Sequence, residues 1–111
     1  TCKTIYLVCD IDADGSAEKP WTPIGRQKVT GESNNRPFRG RFDGQNHTIS
    51  GIYLNATANM QGLFGLVDVA AVISNFTLAD STINANSYAD VGAVAGRTQT
   101  GKNYFENIYV A

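Results

Sequence analysis

Three stretches of this 111-residue chain, Ile49-Ser50-Gly51-Ile52-Tyr53-Leu54, Ile73-Ser74-Asn75-Phe76-Thr77-Leu78 and Phe105-Glu106-Asn107-Ile108-Tyr109-Val110, share one pattern. Each places large apolar residues at its first, fourth and sixth positions and a glycine or asparagine at the third. A shorter element recurs between them, where Gln61-Gly62-Leu63-Phe64-Gly65 matches Val91-Gly92-Ala93-Val94-Ala95-Gly96. The first two long copies start 24 residues apart, at 49 and 73, and the last two 32 apart, at 73 and 105. Repeats of this size, each holding short strands, suit a chain whose successive windings stack strand on strand at about 4.8 Å. Ile49, Ile73 and Phe105 are then expected to form one apolar column, and Leu54, Leu78 and Val110 another. Gly51, Asn75 and Asn107 fall where alternation breaks, so they are expected at a corner, where glycine and asparagine tolerate left-handed backbone angles.

No segment shows helical spacing of apolar residues between caps, and helix content is expected near zero. Short apolar alternations bounded by Gly, Asn, Asp and Ser fill the chain, beginning with Ile5-Tyr6-Leu7-Val8. The fold class expected is therefore all-β, a parallel β-helix (solenoid) of about three coils with an N-terminal lead-in strand. Leucine-rich repeats share the apolar spacing, but their next signature position, an Asn or Cys, is occupied here by Thr57 and Ser81. Residues 14–37 hold all three prolines and read as a long surface loop.

A length of 111 residues with 42% hydrophobic and 17% charged residues fits one globular domain, 1–111. Nine basic and ten acidic residues give a net charge of -1, too weak a field to recruit nucleic acid, and no apolar run is long enough for membrane insertion. The chain begins at Thr1 rather than Met and is read as a segment of a larger protein. Cys2 and Cys9 lie an odd seven residues apart, so on one extended strand they face opposite ways. A disulfide between them needs a bend; otherwise Cys9 is a small buried hydrophobe.

The run Phe38-Arg39-Gly40-Arg41-Phe42-Asp43-Gly44-Gln45-Asn46-His47-Thr48-Ile49, followed by Gly62-Leu63-Phe64-Gly65 and Val91-Gly92-Ala93-Val94-Ala95-Gly96, resembles the GLUG-motif repeat family of bacterial extracellular proteins. Tyr6-Leu7-Val8-Cys9-Asp10-Ile11-Asp12 and Trp21-Thr22-Pro23-Ile24-Gly25 resemble that family's lead-in. The resemblance implies a right-handed parallel β-helix within adhesin-like or immunoglobulin A protease-associated surface proteins, with no catalytic role for the repeat itself.

Several side chains are candidates for chemistry. Asp10, Asp12 and Asp14 alternate ahead of Gly15 as at the start of a calcium loop, yet the twelfth loop position, normally a bidentate Glu, is Trp21. Without calcium these carboxylates serve as turn caps. Asp43 and His47 contain an acid and a base, but Asp43-Gly44-Gln45-Asn46-His47 reads better as a tight turn with Gly44 supplying a positive backbone angle. Arg26, Lys28, Arg36, Arg39 and Arg41 crowd into sixteen residues against a single acid, Glu32, and offer a patch for acidic glycans. Trp21 and Tyr88 are aromatics able to stack on a sugar ring, or in the case of Trp21 to plug an end of the stack. Asn46, Asn55 and Asn75 head Asn-x-Ser/Thr triplets that chance explains in so Asn- and Thr-rich a chain.

The expected function is a non-catalytic structural or adhesive module of a secreted or cell-surface bacterial protein. It displays loops 26–41 and 84–90 to a glycan or protein, needs no cofactor, and stacks on neighbouring repeats. The alternative is a fragment of a carbohydrate-active β-helix enzyme, a lyase or hydrolase. Tyr6 and Ile11 are expected to cap one end of the stack, leaving the end after Val110 open to further sequence or another copy.

Overall fold

The computed structural model describes residues 4–28, 30–99 and 104–111. Its strands are β1 (Thr4–Tyr6), β2 (Ile11–Asp12), β3 (Arg41–Ser50), β4 (Tyr53–Asn55), β5 (Phe64–Val67), β6 (Val72–Ala79), β7 (Thr82–Asn84), β8 (Ala95–Thr98) and β9 (Tyr104–Val110). No helix occurs among the described residues. All pairings between these strands are parallel.

The single β-helix expected from the sequence is not what they build. The strands divide into three separate sheets: a five-stranded one in the order β1-β3-β6-β9, with β2 also on β3, and two of only two strands, β4-β7 and β5-β8. The fold is corrected to an all-β assembly of three separate parallel sheets. Bends divide them. Gly51 (φ 71°) ends β3, and Asp80 (φ 49°) ends β6 at the same level, where the Gly51 amide donates to the Asp80 carbonyl at 3.2 Å. Each bend turns the chain out of the large sheet after a few residues, so neither small sheet joins it.

The 24-residue spacing is also corrected. Phe42 pairs with Ile73 and Ile73 with Phe105, whereas Ile49 pairs with Leu78 and Leu78 with Val110. Leu54 lies beside Ile83 in another sheet. The expected columns are thus right from β6 to β9 and displaced from β3 to β6. The cause is a bulge in β3, where Gly44, Gln45 and Asn46 stand opposite Asn75 alone. Gln45 (φ 50°) and Asn46 (φ 61°) take the left-handed angles, as do Asn75 (φ 61°) and Asn107 (φ 53°). Gly51 belongs to a different corner from Asn75 and Asn107. Gly44 serves close approach instead, since a Cβ there would lie 2.5 Å from the Asn75 carbonyl oxygen.

The core cluster gathers side chains from the five-stranded sheet, from β5 and from the segments that join the strands. Phe42 and Ile49 of β3, Phe64 and Val67 of β5, and Ile73, Phe76 and Leu78 of β6 are buried together with Phe38, Ile52 and Leu63. Phe64 sits at the centre, its ring centroid 5.0 Å from that of Phe38 and 5.4 Å from that of Phe42. Each fully buried side chain of this size contributes roughly 1.5–3 kcal/mol through the water it excludes. The stretch expected to be one long loop is held along its first half, where the Gly15, Trp21 and Ile24 amides donate to the carbonyls of Gly51, Tyr53 and Leu63. A loop runs between Arg26 and Arg36, which bridge each other antiparallel, and Ser16 and Lys19 close a shorter turn in the same way.

Candidate functional site

The Arg26–Arg36 bridge brings two guanidinium groups to the foot of the projecting loop. Glu32 sits between them. Its carboxylate accepts from Arg26 Nη1 at 2.6 Å and Nη2 at 3.0 Å, and from Arg36 Nε at 2.6 Å. The paired charge drives Arg26 above its already high pKa, chiefly through these hydrogen bonds. Two planar forks on one carboxylate fix the loop more firmly than isolated surface pairs do. The Lys28 amide adds a bond to Asn35 Oδ1 at 2.9 Å. Around this clamp lies an open hollow of about 800 Å³, lined by Glu32, Ser33, Asn34, Arg36, Arg39 and Gln99 among others. Arg39 reaches it while its Nε donates to Asp68 at 2.7 Å. Arg36 and Arg39 thus keep exposed donor faces while each is anchored by an acid.

The other candidates do not join them. Arg41 is exposed on β3, in register with Thr4 and Val72. Trp21 is half-buried against the core and donates from Nε1 to the Leu63 carbonyl at 3.1 Å, which suits the plugging role rather than a free stacking platform. Tyr88 is exposed, but neither it nor Trp21 lines the hollow. Glu32 and Asp68 anchor these guanidinium groups; Glu32 stands out in the sequence as the single acid among five cations, whereas Asp68 lies far from them along the chain.

Asp10, Asp12 and Asp14 are engaged separately. The Asp10 carboxylate accepts from the Thr48 amide at 2.9 Å and lies 3.1 Å from His47 Nδ1. Those contacts, the Thr48 amide foremost, hold Asp10 below the usual carboxylate pKa. Asp12 caps the amide of Asp14 at 2.9 Å, the turn-capping alternative to calcium. Among the described residues no three His, Cys, Asp or Glu side chains converge on a common point. Tyr6 and Ile11 occupy the outer edge of the large sheet as expected, yet both are exposed rather than covering it. Cys9 is also exposed, not buried as its strand pattern implied, and its pairing with Cys2 lies outside the described residues.

Asp43 and His47 are drawn apart. His47 turns to Asp10, while Asp43 Oδ1 accepts from Asn75 Nδ2 at 3.0 Å and from the Gln45 amide at 2.9 Å. Asn75 Oδ1 accepts in turn from Asn107 Nδ2 at 3.0 Å. This ladder of Asp43, Asn75 and Asn107 runs across three strands, with the two asparagines at left-handed positions. The Asn75 bond, then that of Gln45, lowers the Asp43 pKa and keeps it an acceptor. Asn75 is thereby occupied, while Asn55 accepts from Asn86 and Asn46 is exposed on the bulge.

No protein-family model matches the chain, and no solved structure matches it. It is similar to a protein named "Halomucin" from Haloquadratum walsbyi, with 36% identity over 93 residues, covering 81% of this chain and 1% of that protein. It is also similar to a protein named "Putative Gly-rich membrane protein" from Evansella cellulosilytica, with 32% identity over 103 residues, covering 88% of this chain and 10% of that protein. The chain therefore spans only a small part of the relatives it matches. Among the described residues no helix is long and apolar enough to cross a membrane.

Proposed function

We propose that this chain is a non-catalytic binding module of the GLUG-repeat type, carried on a larger extracellular or cell-surface protein, and that its loop between Arg26 and Arg39 recognises an acidic glycan. The observation that carries this reading is the Glu32 clamp, which holds Arg36 beside Arg39 at the rim of an open polar hollow. Anchored guanidinium groups lose less freedom on binding than mobile ones, and each charge-assisted bond to a ligand carboxylate or sulfate contributes about 1.5–3 kcal/mol. Ser33, Asn34 and Gln99 on the same wall supply the neutral donors and acceptors that sugar hydroxyls need. The names of both relatives, a halomucin and a membrane protein, support a setting at the cell surface or membrane.

The test is a panel of acidic and neutral glycans assayed for both binding and cleavage. Acidic glycans are expected to bind without turnover, and Arg36→Ala with Arg39→Ala to weaken binding by at least about tenfold. Arg41→Ala, outside the hollow, is expected to leave it unchanged. Turnover of any glycan would overthrow the reading in favour of the enzyme alternative, and indifference to the double substitution would remove the site.

A further inference from the structure

The polar hollow beside Arg36 and Arg39 does not end at the loop. A second open hollow of about 580 Å³ adjoins it, lined by Met60, Leu66, Arg97 and Thr98, and the two share Asn35 and Gln99. The β5-β8 sheet explains how they meet. Phe38 bridges Val67 in parallel and Val67 pairs with Thr98, while the Asp68 amide donates to the Phe38 carbonyl at 3.0 Å and the Gln99 amide to the Val67 carbonyl at 2.8 Å. Arg39, Asp68 and Gln99 therefore follow one another across three neighbouring segments of backbone. Arg97, two residues before Gln99, repeats the arrangement of the first two arginines: its Nε lies 3.4 Å from Asp90 Oδ2, as those of Arg36 and Arg39 lie 2.6 and 2.7 Å from Glu32 and Asp68. The three side chains stay 54%, 67% and 71% exposed. A guanidinium has five N–H donors, so one gripped at its edge by an acid still presents others to a ligand. Among the described residues no aromatic side chain lines either hollow. Affinity here has no stacking platform to draw on and must come from charge-assisted bonds.

We propose that the two hollows form one groove for a chain of acidic sugars, which sets one acid group on Arg36 and Arg39 and a later one on Arg97. The inference rests on the acidic-glycan reading above and adds to it the length and charge spacing of the ligand. The backbones that carry Arg39 and Arg97 stand two strand steps apart, roughly 10 Å at about 4.8 Å per step, which is wider than one sugar ring. A single acidic sugar thus engages one end. A polymer with acid groups on separate rings engages both, and Asn35 and Gln99 at the joint offer amide groups to the hydroxyls between them. A strand added at the edge of a sheet pairs with its backbone, and so lengthens a side-chain face of this kind rather than covering it.

Titration calorimetry on the 111-residue chain tests this with uronic acid oligomers of increasing length, beside neutral oligomers and a single-stranded oligonucleotide of equal charge. Affinity is expected to rise by at least about tenfold once the oligomer spans both ends, and to fall more steeply with salt than that of a single acidic sugar. Arg97→Ala, with Arg97→Gln as a second variant at this exposed position, is expected to remove that gain. Both should keep the wild-type circular dichroism spectrum and bind the shortest ligands as wild type does, whereas Arg36→Ala with Arg39→Ala weakens every length. Long oligomers that bind no tighter than short ones, or that bind Arg97→Ala as well as wild type, overturn the groove and leave the acidic-glycan site standing. An oligonucleotide that binds more tightly than the uronic acid oligomer overturns the ligand class, and failure of every acidic sugar to bind overturns both readings.

Discussion

Phe64→Ala is expected to lower the free energy of unfolding by about 3–5 kcal/mol, the cost typical of removing a wholly buried aromatic ring. Phe64 is completely buried and is the ring on which Phe38 and Phe42 both close. Its removal leaves a void between the β5 side and the β3 side of the core, and backbones held in parallel ladders on both sides cannot collapse to fill it. A domain of this size has only about 5–15 kcal/mol in hand, so the variant should unfold at much lower denaturant or populate the unfolded state outright. Denaturant titration followed by circular dichroism measures the shift. Phe105→Ala, at the exposed end of its column, serves as the comparison and should lose less than half as much. Equal losses at the two positions would mean that the core is not centred on Phe64.

Gly65→Ala is the second change with a large expected effect, although it adds one methyl group. A Cβ at Gly65 would lie 2.5 Å from the Gly25 carbonyl oxygen and 2.6 Å from that of Met60. Both neighbours are backbone, and they are pinned. The Gly65 amide donates to the Ile24 carbonyl at 2.9 Å, and the Leu66 amide to the Gly25 carbonyl. The Gly25 carbonyl cannot withdraw without breaking these bonds to β5, and Met60 is tethered separately, its amide donating to the Ala89 carbonyl at 3.1 Å. The expected loss is about 3 kcal/mol, at the upper end for overpacking because no flexible side chain can yield. Thermal unfolding read beside wild type checks it. An unshifted midpoint would show that residues 24–26 do not pack against β5 as described.

Much of the strand content could be read from residue types, and the reason it could is visible in β6 and β9. These strands are nearly equal in length, turn at equivalent asparagines and pair at a constant offset of 32 residues, so Ile73-Ser74-Asn75-Phe76-Thr77-Leu78 and Phe105-Glu106-Asn107-Ile108-Tyr109-Val110 align by eye. The equivalent of Asn75 in β3 is spread over Gly44, Gln45 and Asn46, which hides Phe42 as the partner of Ile73. Ile49, Ile52 and Leu54 imitate the apolar spacing across the end of one strand and the start of another, and an incorrect period followed. The division into three sheets was not legible either, because it depends on where bends such as Gly51 and Asp80 fall level with each other.

The candidate site was half legible for a related reason. Charge density marked Arg36 and Arg39, since cations in one span need no fold to be noticed. Their anchors were hidden in different ways. In the sequence Glu32 reads only as a partial offset to the nearby charge, and Asp68 lies 29 residues beyond Arg39, brought near when the Phe38 amide and carbonyl bond to Leu66 and Asp68. The position of Trp21 in the sequence suits two roles, a sugar platform or a plug. The hydrogen bond from its indole to Leu63 and its packing on the core favour the plug.

The claim on which the whole account rests is the register between β3 and β6, interrupted by three residues facing one. Backbone nuclear Overhauser contacts on isotopically labelled protein report it directly. Parallel cross-strand contacts are predicted between Phe42 and Ile73 and between Ile49 and Leu78, with a gap from Gly44 to Asn46. Contacts placing Ile49 beside Ile73, or an antiparallel pattern between these strands, would contradict it.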